Sequence, residues 1–158
     1  MARPIVPPPG YVLAGLAIQR LLARHPKAGI RRKAAAGVIV AGALGLFVTV
    51  ALSFWRNGTT IEPRRPEEAS RLVTDGLNAL SRNPIYVGMA ATLVAHALFL
   101  GSWRALLPVA GFVLVMDRTQ IAAEEAALAE LFGADYAEYR ARVPRWVGPR
   151  PGGTPAPA

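Results

Sequence analysis

Cysteine is absent from this chain, which excludes disulfide scaffolds, thiolate metal sites and cysteine nucleophiles together. Histidine is nearly absent: His25 and His96 are the two present, too few for a His-based zinc site, so no metal centre is expected. Charged residues make up 18% of the chain, against about 25% in an ordinary soluble domain, and they sit in blocks. No G-x-G-x-x-G follows a strand, and there is no Walker loop, H-E-x-x-H or G-x-S-x-G. The start, MARPIVPPPG, lacks the charged region, apolar core and cleavage site of a secretory signal in the required order. Asn57-Gly58-Thr59 fits a glycosylation acceptor, a pattern too short to carry weight.

What is present is apolar. Hydrophobic residues form 53% of the 158, and the mean hydropathy is +0.30. Eighteen Lys and Arg against ten Asp and Glu give a formal charge of +8. Such a balance suits a nucleic acid or an anionic membrane surface, and the long uncharged runs decide for the membrane. A basic nucleic-acid binder is excluded because the charge forms no stripe on a soluble fold.

Four apolar segments are legible. The first, residues 5–22, is interrupted by Pro7-Pro8-Pro9-Gly10, and its clean core of 11–18 falls short of the ~20 residues a span requires. It crosses only if the prolines open the helix and Arg20 snorkels to the interface. Residues 34–55 are uncharged throughout and form the secure span. Residues 85–103 hold one notable polar residue, His96, expected to be neutral and satisfied by a neighbour. The fourth run, 105–116, leads into a helical pattern through Asp117, Arg118, Glu124 and Glu125 towards Phe132, which carries its charged half into water. Gly37, Ala41 and Gly45 recur at four-residue spacing, a stripe suited to close helix packing within one subunit, with a dimer seam as the alternative.

The expected architecture is therefore all-α: a polytopic membrane bundle of about four transmembrane helices with a C-terminal amphipathic cytosolic segment. One domain covers 1–147, and the Pro/Gly-rich 148–158 is expected to be disordered. The polar stretch 56–83 is too long for a simple connection, and such loops tend to carry function. Eleven Lys and Arg fall on the face with both termini and this loop, and seven on the other; six of those seven lie between Arg20 and Lys33 with no acid among them. The positive-inside rule then places the termini and the loop in the cytoplasm.

Polar chemistry gathers at that face. Arg82-Asn83-Pro84-Ile85-Tyr86 opens the third segment, and Glu124-Glu125 follows the fourth, on the same side because the two segments form an antiparallel hairpin. Taken alone, the two glutamates read as a solvated helix face and Tyr86 as an interfacial aromatic. Tyr136 and Tyr139 read as docking an amphipathic tail on the membrane surface. Arg142 and Arg145 suit lipid phosphates, and Asp117 and Arg118 satisfy one another or snorkel.

Read in order, Leu72-Val73-Thr74-Asp75-Gly76, Ser81-Arg82-Asn83-Pro84-Ile85-Tyr86-Val87-Gly88, Glu124-Glu125 and Phe132-Gly133-x-x-Tyr136-x-x-Tyr139-x-x-x-Val143-Pro144 form a series. The series resembles the isoprenylcysteine carboxyl methyltransferase / phospholipid methyltransferase superfamily of integral membrane enzymes over roughly residues 58–146. The resemblance implies S-adenosylmethionine as cofactor, held by the cytosolic ends of the last membrane helices and the C-terminal segment. It places Arg71, Leu72 and Val73 along the cofactor, Arg82, Asn83, Pro84, Ile85 and Tyr86 as a second wall, and Glu124 in contact with it, Glu125 beside. Gln120, Tyr136 and Tyr139 fall towards the acceptor. Asn83 stands where many relatives have His, Asn78 and Leu80 replace common aromatics, and Gln120 replaces a substrate-associated arginine of the eukaryotic isoprenylcysteine enzymes. A phospholipid amine, a hydrophobic thiol or a carboxylate remains open as acceptor, the prenylcysteine carboxylate being disfavoured by Gln120, and no residue stands out as a catalytic base. The alternative is a non-catalytic membrane protein that keeps the fold as a packing or partner-binding module.

Overall fold

The computed structural model describes residues 6–23, 28–56 and 71–148. The Asn57-Gly58-Thr59 pattern, Arg64, Arg65 and the tail from 149 onward lie outside the described residues. Those described are helical or irregular, with no strand among them. The helices are α1 (Pro8–Leu22), α2 (Ile30–Arg56), α3 (Pro84–Leu100), α4 (Leu107–Arg118) and α5 (Gln120–Arg142), with short 3-10 turns at Gly76–Ala79 and Trp103–Leu106.

Prolines do open α1. Pro7 is extended at the N-cap, and Pro8 occupies the first turn, where a missing N–H removes no helical bond. The helix has 15 residues, about 22 Å at 1.5 Å per residue, which is shorter than the ~30 Å apolar core of a bilayer. α2 runs 27 residues and begins at Ile30, so the basic Arg31, Arg32 and Lys33 form its first turn ahead of the apolar run. α3 ends at Gly101, whose left-handed backbone (φ 66, ψ 24) turns its N–H back onto the carbonyls of Ala97 and Leu98. The fourth segment breaks at Thr119 (φ −115, ψ −75), which separates the apolar α4 from the amphipathic α5. Two stretches, Ile30–Ser53 and Trp103–Arg142, are long and apolar enough to cross a membrane. The apolar part of the second ends at Met116.

α3 is the central element. α1 and α3 run in the same direction, and α2 and α4 run opposite to them. Leu93 is fully buried with Tyr86, Phe112, Met116 and Ile121, and Tyr11, Val12 and Leu16 of α1 pack against this group. Gly15 lies against Leu93, and Gly88 against Leu46 and Phe47; a Cβ on Gly88 would stand 3.0 Å from Phe47 Cζ. Small residues at these two positions let α1 and α2 close on α3.

The stripe of Gly37, Ala41 and Gly45 does not mediate that packing. All three are exposed, and nothing lies within 4 Å of a Cβ added at either glycine. α2 instead buries Ala36, Ala43 and Val50, seven residues apart, and the stripe positions lie about 100–160° around the helix from that seam. The exterior of α2 is as apolar as its interior, with Val38, Leu44 and Val48 exposed, as suits a helix in lipid.

His96 is satisfied by a neighbour, as expected, and that neighbour is Gln19. Gln19 is fully buried; its Nε2 donates to the carbonyls of Leu93 (2.9 Å) and Ala105 (2.7 Å), and its Oε1 lies 2.7 Å from His96 Nδ1. An amide oxygen only accepts, so the proton between them is carried by Nδ1. One side chain thus ties α1 to α3 and to the turn before α4, a role its place at the end of the first apolar run did not announce.

Gly88→Leu, which drives a side chain into Phe47 and Leu46, is expected to destabilise the bundle by about 1–3 kcal/mol. Gly37→Leu, pointing into open space, is expected to leave the midpoint nearly unchanged when both are followed by thermal unfolding in detergent.

Candidate functional site

α5 ends with carbonyls that no further turn can satisfy. The segment before α3 supplies the donors. Arg82 Nη1 donates to the carbonyls of Arg140 and Val143, both at 2.9 Å, and the Arg82 backbone N–H donates to Pro144 O at 2.9 Å. Ser81 Oγ and Asn83 Nδ2 both donate to the Arg145 carbonyl at 3.1 Å. Residues 81–83 therefore clasp residues 140–145. Gly133 makes the clasp possible by breaking α5 with φ 48 and ψ −115, a backbone that only glycine adopts without strain.

Arg82 also reaches Glu125, Nη2 to Oε1 at 2.7 Å, with both side chains more than nine-tenths buried. Arg145 holds the same carboxylate through Nε (3.0 Å) and Nη2, and its Nη1 reaches Asp117 Oδ1 at 3.0 Å. Trp146 Nε1 donates to that oxygen as well, at 3.0 Å. The result is an alternating series, Arg82, Glu125, Arg145, Asp117, whose charges cancel. Burial by itself would raise Glu125, but hydrogen bonds from Arg145 and Arg82, with their charge, outweigh it and hold the carboxyl below its usual range. Arg145 is correspondingly raised, chiefly by its bond to Glu125.

Glu124, the adjacent residue, is turned about 100° around the helix and meets a different environment. Tyr86 of α3 donates its hydroxyl to Glu124 Oε1 at 2.6 Å, and Gln120, one turn earlier on α5, donates to the same oxygen at 2.9 Å. Burial pushes this carboxyl up to about 7, against the two donors, and the charge of Glu125 adds to the rise. No described residue bonds its second oxygen. Arg82 Nε and Asn78 Nδ2 are likewise buried without a partner among the described residues.

The structure thus brings Arg82, Asn83, Pro84, Tyr86, Gln120, Glu124 and Glu125 to one corner. Ile85 is half-buried beside them. Arg71 is exposed, Val73 is buried, and Leu72 packs on a second cluster formed by Tyr136, Tyr139 and Val143 with Leu128 and Phe132. Tyr136 and Tyr139 do not dock a tail on the membrane surface. They are buried, their rings meet edge to face at 6.2 Å, and the Tyr139 hydroxyl donates to Asn78 O at 2.7 Å. The bend at Gly133 turns them inward.

Arg145 is likewise turned inward to carboxylates rather than outward to lipid phosphates, whereas Arg142 is exposed and faces Glu138 at 3.6 Å. Asp117 serves Arg145 and Trp146; Arg118, mostly exposed, stands 3.9 Å away. Sequence reasoning missed Ser81, Asp117, Arg145 and Trp146 as members of this corner. Nothing in the local sequence separates Arg145 from Arg142, since Arg142 ends α5 and Arg145 comes three residues later.

Comparison with known proteins bears on this corner. A family model described as phospholipid methyltransferase matches residues 32–135, which takes in Arg82 to Tyr86 and both glutamates. An uncharacterized protein of Haemophilus influenzae is 40% identical over 63 residues, 40% of this chain and 100% of that protein. The protein-S-isoprenylcysteine O-methyltransferase of Schizosaccharomyces pombe is 36% identical over 76 residues, 48% of this chain and 32% of that enzyme. The chain therefore matches about a third of that relative's length. No solved structure matches the chain.

Arg82→Met should destabilise the protein by about 3 kcal/mol, since it leaves a buried carboxylate short of a partner and the end of α5 uncapped. Arg82→Lys should recover little of this, because one ammonium does not reproduce the fork that reaches Glu125 and two carbonyls. Thermal unfolding of the two variants beside wild type measures both effects.

Proposed function

The chain belongs to the phospholipid methyltransferase family, and from that premise we propose that it is a multi-pass membrane enzyme transferring a methyl group from S-adenosylmethionine to a lipid-soluble acceptor. In this reading four helices cross the bilayer, and both termini and the site face the cytoplasm. The acceptor enters sideways from the lipid. The observation that carries the reading is the 2.6 Å bond from Tyr86 to Glu124, which joins the first turn of α3 to α5 where the apolar run of α4 has ended.

The donor and acceptor set suits the cofactor. The free oxygen of Glu124 accepts from an ammonium group or a ribose hydroxyl, and a positive charge nearby favours its ionised form. The unpartnered nitrogens of Arg82 and Asn78 offer donors to oxygens. Asn83 spends its side-chain amide on Arg145 instead of capping α3, which leaves that helix start open to a carboxylate. When bound, S-adenosylmethionine supplies a methyl group on a sulfonium, an electrophile that needs no metal to activate it.

The residues of the chain hold, orient and exclude water. Tyr86 and Gln120 fix the Glu124 carboxylate, and the Arg82–Glu125–Arg145 series keeps α3 and the end of α5 at a constant distance. An aligned in-line displacement in a water-poor corner draws its acceleration mainly from positioning. Gln120 is engaged with Glu124 and presents no cation to an acidic acceptor. That favours an amine or thiol with a free lone pair over the carboxylate implied by the name of the Schizosaccharomyces relative.

Isothermal titration of the purified protein with S-adenosylhomocysteine tests the reading. Glu124→Gln should weaken binding by about 1.5–3 kcal/mol, the range for a lost charge-assisted hydrogen bond. Unchanged affinity would remove Glu124 from the site, and absence of binding to wild type would favour the non-catalytic module. The pH dependence has a definite sign. Glu124 is ionised above about 7 and protonated below it, so affinity should fall roughly tenfold from pH 8 to pH 6, and this slope should vanish in Glu124→Gln.

A further inference from the structure

The helices sort the charge of the chain into two unequal ends. One end holds the turns from α1 to α2 and from α3 to α4; the other holds the candidate site. Among the described residues all seven acids fall at the site end, together with seven cations. The opposite end holds, among the described residues, five cations (Arg20, Arg31, Arg32, Lys33 and Arg104) and no acid.

All five are exposed. Backbone and ring contacts draw them together. Arg32 Nη1 donates to Gly101 O at 3.4 Å, and Lys33 lies 5.8 Å from the centre of the Phe99 ring, so the start of α2 is fastened to the end of α3. Gln19, next to Arg20, donates to Ala105 O, next to Arg104, which brings the end of α1 beside the start of α4. Arg104 in turn stands 5.6 Å from the ring centre of Trp103, a tryptophan 72% exposed.

Cations held this close repel one another unless something negative intervenes. At the site end the chain supplies its own carboxylates, as Arg82 and Arg145 show. At this end the described residues supply none. Exposed guanidinium and ammonium groups beside a tryptophan, at the mouth of helices with lipid-facing apolar exteriors, match an anionic phospholipid: phosphate for the cations, the interfacial layer for the indole, acyl chains for the flanking helices. The geometry points to a binding surface for anionic phospholipid headgroups formed by Arg20, Arg32, Lys33 and Arg104, on the membrane face opposite the candidate site. The assignment rests on the charge and contacts of this end and stands apart from the methyl-transfer reading.

Native mass spectrometry of the full chain, released from detergent after titration with phosphatidylglycerol or phosphatidylcholine, tests it. Wild type should retain the anionic lipid with roughly tenfold preference. Arg32→Gln/Lys33→Gln/Arg104→Gln should lose most of that preference, with helix content unchanged by circular dichroism because the altered side chains are exposed. Arg32→Lys/Arg104→Lys should keep it, and so should Arg56→Gln/Arg118→Gln at the other end. Equal retention of the two lipids by wild type, an undiminished preference in the triple variant, or displacement of the lipid by millimolar inorganic phosphate would overturn the assignment.

Discussion

A guanidinium buried between two helix ends is the constraint from which the rest of this structure follows. Arg82 stands immediately before α3 and donates to the last carbonyls of α5 and to Glu125. Enclosing such a charge is expensive unless it is paired and hydrogen-bonded. The chain meets that condition by bending α5 at Gly133, so that carbonyls which would otherwise face solvent arrive at the guanidinium. The register between α3 and α5 is thereby fixed, and with it the position of every side chain at the corner.

The two consecutive glutamates acquire opposite properties from this arrangement. Glu125 lies between two arginines and stays ionised; Glu124 looks towards Tyr86 and Gln120, with no cation bonded to it, and is pushed up to about 7. Two carboxylates next to one another in sequence thus divide structure from chemistry. The neutralised one secures the scaffold, and the responsive one has an oxygen to offer a ligand. In the proposed reading, that carboxylate oxygen beside an open helix start is where a cationic methyl donor would bind.

Membrane immersion explains the remainder of the fold. α3 collects its neighbours through glycines at positions 15 and 88, while α2 buries one narrow seam and leaves the rest of its apolar surface outward. The buried polar node at Gln19 and His96 satisfies itself inside that apolar setting, as groups removed from water must. Charge is expelled to the two ends, and the ends differ. Among the described residues, carboxylates accompany the arginines at one, and at the other the cations stand without them.

Much of this was legible in the residues alone. Uncharged runs of span length and prolines that open α1 and α3 implied a helical membrane protein, and the resemblance of the ordered Arg-Asn-Pro-x-Tyr element and paired glutamates to a known family implied a methyltransferase. Those features depend on local chemistry and on spacing along one chain. Tertiary structure decided what spacing leaves open. Helical periodicity shows that Gly37, Ala41 and Gly45 share a face, but not that α3 meets the largely opposite face of Ala36, Ala43 and Val50. It sets Arg142 and Arg145 in the same short stretch, and only the bend at Gly133 and the carboxylates of Asp117 and Glu125 turn Arg145 inward. It likewise gave no reason to single out Gln19. A sequence determines which side chains a helix can present; which of them is buried depends on the partner that arrives from a distant part of the chain.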